Sequence, residues 1–123
     1  MVSEGNGFVT RDLFLRPLVR RFKEIEIPEF GKVRIRSLTE LERSQFEASI
    51  RDKKGNVSNT KLIDLKCRLI VLAVVDGEGN PILQNSDIAE LRKQDARVTN
   101  ALVDAIQSHV GITDSDLEEL EKN

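Results

Sequence analysis

Hydrophobic and polar positions change their period several times along this chain. Residues 1–9 offer little to bury beyond Val2, Phe8 and Val9. Leu13, Phe14, Leu15, Leu18 and Val19 then form a short apolar patch interrupted by Pro17. Such a patch is either a helical turn docked on a core or an exposed anchor for a partner, and docking is the expected outcome. Residues 1–21 therefore read as a flexible or partly docked segment.

From Phe22 the period becomes two. Ile25 and Ile27 alternate with Glu24 and Glu26, residues 28–31 make a connection, and Val33 and Ile35 alternate with Lys32, Arg34 and Arg36. The pattern predicts a hairpin over residues 22–36 with one aliphatic face and one face that sets an acidic strand beside a basic one. Two strands alone are marginal, so helices must cover the aliphatic face.

The remainder is helical in pattern. Thr39 followed by Glu42 has capping-box spacing, and Leu38, Leu41, Phe46 and Ile50 give a helical face over residues 39–51. Residues 52–59 form a polar loop. Thr60 then caps a helix over residues 60–75 whose second half is apolar all round, which places it in the middle of the domain. The β-branched run at residues 69–75 also suits a buried strand; the continuity of the pattern from Leu62 favours helix. Asp76-Gly77-Glu78-Gly79-Asn80-Pro81 is a turn, and Ile82 and Leu83 return the chain as a short extended piece.

Ser86 is placed to cap a short helix over residues 86–93 that bears Ile88 and Leu91. Val98, Ala101, Leu102, Ala105, Ile106 and His109 share one face of a helix over residues 96–110, which Gly111 ends as a left-handed cap. Thr113 caps a last helix over residues 114–121, with Ile112 and Leu117 as a hydrophobic staple. The fold class expected is α+β, mostly α: an N-terminal β-hairpin packed on a bundle of four to five helices, with residues 22–123 as a single domain.

Composition narrows the function. The chain has 123 residues, 39% of them hydrophobic, enough for a core that needs neither metal nor disulfide. Five Phe without Trp or Tyr leave few stacking platforms for sugars or single-stranded bases. A net charge of -2 gives no global attraction to nucleic acid or to an anionic membrane. The distribution is uneven: residues 1–36 carry eight Lys/Arg against five Asp/Glu, and residues 101–123 carry one against six. A basic front and an acidic tail favour head-to-tail encounters between like molecules. No apolar run is long enough to span a bilayer, and residues 1–10 lack the charged and apolar regions of a signal peptide, so a cytoplasmic location is expected.

Candidate chemistry is sparse. His109, the single histidine, has no cysteine partner in sequence and is expected to end a core face. Cys67, the single cysteine, is expected to pack as a small hydrophobe. Asp76, Glu78 and Asn80 have the spacing that opens a calcium loop, but Pro81 stands where the sharp turn needs Gly, and Asp87 where a bidentate Glu is needed. No catalytic residue, metal ligand or cofactor site is expected, and the chain does not read as an enzyme. Arg20, Arg21, Arg34 and Arg36 form an alternative basic patch for a small nucleic-acid-binding regulator, although Glu24, Glu26 and Glu29 interleave with it.

One ordered set of residues resembles a known family. Ile25-x-Ile27-Pro28-x-x-Gly31-x-Val33-x-Ile35-Arg36-x-Leu38-Thr39, Glu42-Arg43, Phe46-Glu47, Val74-Val75-Asp76-x-x-Gly79-x-Pro81 and Gly111-Ile112-x-x-x-Asp116-x-Glu118-Glu119-Leu120-Glu121-Lys122-Asn123 look like the tail assembly chaperones of lambda-like long-tailed bacteriophages. The likeness spans residues 22–123. It implies a chaperone for the tape-measure protein, an apolar helical rod kept soluble until tail-tube subunits polymerise around it. It implies weak self-association into a homo-oligomer, residence in the cytoplasm of the bacterial host and absence from the mature virion.

In many such proteins a ribosomal frameshift near the gene's end appends a domain that recruits the tail-tube protein. Glu121-Lys122-Asn123 can be encoded GAA-AAA-AAC, which contains the slippery run A-AAA-AAC; if the gene uses those codons, a longer product is possible and this chain is the unshifted one. The family transfers no catalytic residues. The partner-binding residues expected from their apolar character are Leu13, Phe14, Leu18 and Phe30.

Overall fold

The computed structural model describes residues 7–51, 54–56 and 64–111. The order of elements is α1 (Arg11–Leu15), β1 (Phe22–Ile27), β2 (Gly31–Arg36), α2 (Glu40–Ser49), α3 (Leu65–Ala73), β3 (Val74–Val75), a 3-10 turn (Asn85–Asp87), α4 (Ile88–Leu91) and α5 (Ala96–Val110). The fold is α+β and mostly helical, with a three-stranded antiparallel sheet in the order β1-β2-β3.

The hairpin pairs in the register its pattern dictates. Glu24 lies opposite Arg34 and Glu26 opposite Lys32 on one face, and Ile25 lies opposite Val33 on the other. A turn closed by the Phe30 N–H donating to Ile27 O (3.0 Å) joins the strands, with Pro28 second and Glu29 third. Glu29 takes φ 67°, a left-handed conformation that Gly more often supplies. The aliphatic face is closed by α3 and α5: Ile27 and Ile35 pack with Leu69, Ile70, Val98, Leu102 and Ile106 in one buried cluster.

In α2 the Thr39 side chain accepts from Glu42 N and the Glu42 side chain accepts from Thr39 N, the capping box its spacing predicts. Phe46 and Ile50 face the core, whereas Leu41 falls on the solvent side of the helix. Helix α3 buries Leu65, Cys67, Leu69, Ile70, Val71 and Ala73, so it is apolar nearly all round, as a central helix must be. Gly111 ends α5 at φ 79°, its N–H donating to Gln107 O.

Four expectations need correction. The helix over residues 60–75 stops at Ala73, and Val74 and Val75 form a strand on β2, with Val74 opposite Ile35 and Val75 opposite Arg34. The β-branched pair extends where an open sheet edge is available, and Arg36 Nε donates to Leu72 O (3.0 Å), satisfying one carbonyl of the helix end. The patch around Pro17 is not docked: Phe14, Leu15, Leu18 and Val19 are all exposed. Pro17 stops the five-residue α1 before it can lay an apolar face on the core.

Ser86 does not cap the following helix; it lies inside the 3-10 turn, which opens with Gln84 N–H donating to Asp87 Oδ2 (2.7 Å). The chain after the Asp76 turn does more than return, because Pro81 bridges Val75 and extends the sheet locally. The Thr60 cap, Leu62, the Thr113 cap, the Ile112 staple, the helix over residues 114–121 and the Glu121-Lys122-Asn123 ending lie outside the described residues. Among the described residues no helix is long and apolar enough to cross a membrane.

Candidate protein-binding groove

Strand β3 has two residues, so it covers β2 only at Arg34 and Ile35. Beside the uncovered stretch of β2, at Lys32 and Val33, an open groove of about 590 Å³ runs between the hairpin tip, the segment after the Asp76 turn and the N-terminal half of α5. Phe30, Val33, Val74, Val75, Ile82, Leu83, Leu91, Val98 and Leu102 supply its apolar lining. Phe30 is 50% exposed and Ile82 56%, so two large apolar side chains stand uncovered at its mouth.

Two acidic and two basic side chains, Glu24, Asp76, Lys32 and Arg34, also line it. Lys32 Nζ lies 3.7 Å from Glu24 Oε1. The Arg34 guanidinium stacks 4.3 Å from the Phe22 ring centroid, and its Nη1 donates to Gly77 O. With these opposite charges balanced in number and most of its lining apolar, the groove offers hydrophobic area but little net charge.

The turn after β3 is held by its own hydrogen bonds. Asp76 Oδ1 accepts from the N–H groups of Glu78 (2.8 Å) and Asn80 (3.0 Å), and these backbone bonds hold its carboxyl below the usual carboxylate range. Gly79 sits at φ 90°, and a Cβ there would meet Phe22 Cζ at 2.9 Å, so the ring of β1 packs directly on the turn backbone. Asp76, Glu78 and Asn80, whose spacing matches the opening of a calcium loop, thus form a hydrogen-bonded turn packed on Phe22. Among the described residues no group of three or more His, Cys, Asp or Glu could hold a metal ion.

A second uncovered apolar surface is the N-terminal arm. Phe14 is 79% exposed, Leu15 62%, Leu18 93% and Val19 89%. Of the residues expected to bind a partner, Phe14 and Leu18 stand on this arm in full contact with solvent, Leu13 is half-buried on it, and Phe30 belongs to the groove. The structure therefore does not bring the four together.

The four arginines of the basic patch are all engaged. Arg20 forms a bidentate pair with Glu42 (Nη1–Oε1 2.8 Å, Nη2–Oε2 3.1 Å) and also donates to Ser37 O (2.8 Å). Arg36 is 3.6 Å from the same carboxylate and caps α3. Arg21 Nη2 donates to His109 O (3.0 Å), and His109 Nε2 lies 3.3 Å from Arg21 O, so the histidine ties the arm's root to the last turn of α5. Burial opposes ionisation of Glu42. The hydrogen bond from Arg20, the Thr39 N–H and the charges of Arg36 and Arg20 outweigh it, and the carboxyl titrates below its usual range.

Cys67 packs against Val71 and Ile88, and burial together with the nearby Asp64 charge pushes its thiol up, away from the reactive thiolate. Asp64 is itself buried and held by Arg92 through two bonds (Nε–Oδ1 2.5 Å, Nη2–Oδ2 2.8 Å).

Sequence reasoning did not single out Ile82, Leu83 and Leu91, which line the groove. The available signal was a β-branched pair before a tight turn and an aliphatic pair after it, both of which line the groove. Compared with protein-family models, curated proteins and solved structures, the chain matches none.

Proposed function

We propose that this protein is a tail assembly chaperone: it binds the tape-measure protein of a long-tailed bacteriophage, keeps that rod soluble in the cytoplasm of the bacterial host and releases it as tail-tube subunits enclose it. The observation that supports this most is the groove lined by Phe30, Ile82, Leu83 and Leu91, whose few charged residues balance in sign. A surface of that kind takes the aliphatic stripe of an amphipathic helix, read as anchors at i, i+3 or i+4 and i+7. The ordered residues resembling such chaperones across 22–123 support the same reading.

The energetics fit a coat of many copies. Two or three aliphatic anchors at about 1.5–3 kcal/mol each give a gross gain of roughly 5 kcal/mol before ordering costs. One site is then weak, near the millimolar end of the scale. Holding a long rod requires many such contacts along it, each readily given up to an incoming tube subunit.

Co-expression tests the reading. The tape-measure protein should move from the pellet to the soluble fraction with the wild-type chain and stay in the pellet with Ile82→Asp combined with Leu18→Asp. The complex should survive rising salt, because burial of apolar surface is not screened. A tape-measure protein equally insoluble with and without the chain refutes the proposal, and steep loss of binding with salt points to phosphate contacts by the arginines instead.

A further inference from the structure

The two uncovered apolar surfaces lie at opposite ends of α5. The root of the arm is pinned by Arg21 to His109 in the helix's last turn and by Arg20 to Glu42 and Ser37. The groove meets the same helix at Val98 and Leu102. Between Val98 and His109 the helix axis advances about 16 Å at 1.5 Å per residue. Leu18 and Val19 stand two and one residues before Arg20, a reach of no more than about 7 Å even when fully extended. Leu18 and Val19 cannot enter the groove of their own molecule.

We infer that the arm of one copy seats in the groove of a second copy, so that the free protein self-associates arm into groove through the surfaces it presents to its client. The inference rests on the groove being a protein-binding surface, as proposed above, but it requires no tape-measure protein. Four arm side chains, Phe14, Leu15, Leu18 and Val19, are each more than 60% exposed. At about 60–120 Å² each, the area equivalent to 1.5–3 kcal/mol of burial, they amount to roughly 400 Å², as much as the largest patch an ordinary monomer leaves open. Counting the groove side as well, the contact buries roughly 800 Å², below the size of a permanent interface and typical of a reversible one.

Arm and groove are different surfaces, so the contact is heterologous: each copy that gives an arm still offers a groove. An arm seated in this way keeps both surfaces out of water until a client stripe displaces it.

Analytical ultracentrifugation over a concentration series tests this with two exposed-site variants, Leu18→Asp in the arm and Ile82→Asp in the groove, each checked for native circular dichroism. Wild-type mass should rise with concentration, and each variant alone should remain monomeric. An equal mixture should form a species of two chains and nothing larger, because only the intact arm of one variant and the intact groove of the other can meet. A wild type that is monomeric throughout, a single variant that associates like wild type, or a mixture that stays monomeric overturns the inference. Those outcomes leave the chaperone reading standing, since that is scored on the solubility of the tape-measure protein.

Discussion

Glu42 serves two structures at once, and a short series of variants separates them. Its carboxylate closes the capping box of α2 and accepts the bidentate pair from Arg20, with Arg36 close by. Thr39→Ala removes one capping bond and should cost about 1 kcal/mol. Glu42→Gln keeps a capping-box side chain but removes the charge that matches two part-buried arginines, a loss of about 2 kcal/mol on the scale of hydrogen bonds to charged groups. Glu42→Ala loses both and should cost about 3 kcal/mol. At about 2.1 cal/mol/K per residue over 123 residues, each kcal/mol lowers Tm by about 4 °C. The expected falls at neutral pH are therefore about 4, 8 and 12 °C in that order.

The pH dependence makes the test sharper. The folded-state pKa of Glu42 is depressed, so its contribution is present above the unfolded value near 4.3 and is lost as pH falls through the folded value. The gap between wild type and Glu42→Gln, followed by thermal melts monitored by circular dichroism, should close as pH drops below about 4. A Gln variant that melts with wild type at neutral pH, or a gap that persists undiminished into acid, refutes the assignment of Glu42 as the charge joining the arm's root to the sheet and α2.

Four further outcomes are expected. Gly79→Ala should cost about 1–2 kcal/mol in urea unfolding, from the positive φ and the contact with the Phe22 ring, and Phe22→Ala in the same chain should relieve only the contact part. Arg92→Gln removes the main group lowering the Asp64 pKa, so the buried carboxylate should protonate at higher pH and the acid-unfolding midpoint should move up; an unchanged midpoint would show that Arg92 does not hold Asp64 ionised. Ile106→Ala, at a fully buried site, should cost about 2–5 kcal/mol. Ile82→Ala, at the groove mouth, should stay within about 0.5 kcal/mol by denaturant titration while weakening client capture.

Local signals were legible wherever the deciding contact was near in sequence. The hairpin register followed from alternation, because a slip of one residue would have turned Ile25, Ile27, Val33 and Ile35 out to solvent. The α2 capping box followed from Thr39 and Glu42 three residues apart, and the end of α5 from Gly111. The candidate site was only partly legible. Phe30 was identified, but Ile82, Leu83 and Leu91 join it only because the Asp76 turn packs Gly79 on Phe22 and brings these segments together.

The sequence by itself determined the elements set by local pattern: a period of two from residue 22 to 36 and helical faces at residues 40–49 and 96–110. Tertiary structure alone decided whether Val74 and Val75 coil or extend, since either suits two β-branched residues and the open edge of β2 made the choice. It alone decided that Arg20 and Arg36 spend their charge on Glu42, a partner invisible to any local rule. It left Leu18 and Val19 in solvent where apolar character argued for burial. Burial is a property of what the rest of the chain brings within reach, and Pro17 together with the pinned arginines keeps that arm away from the core.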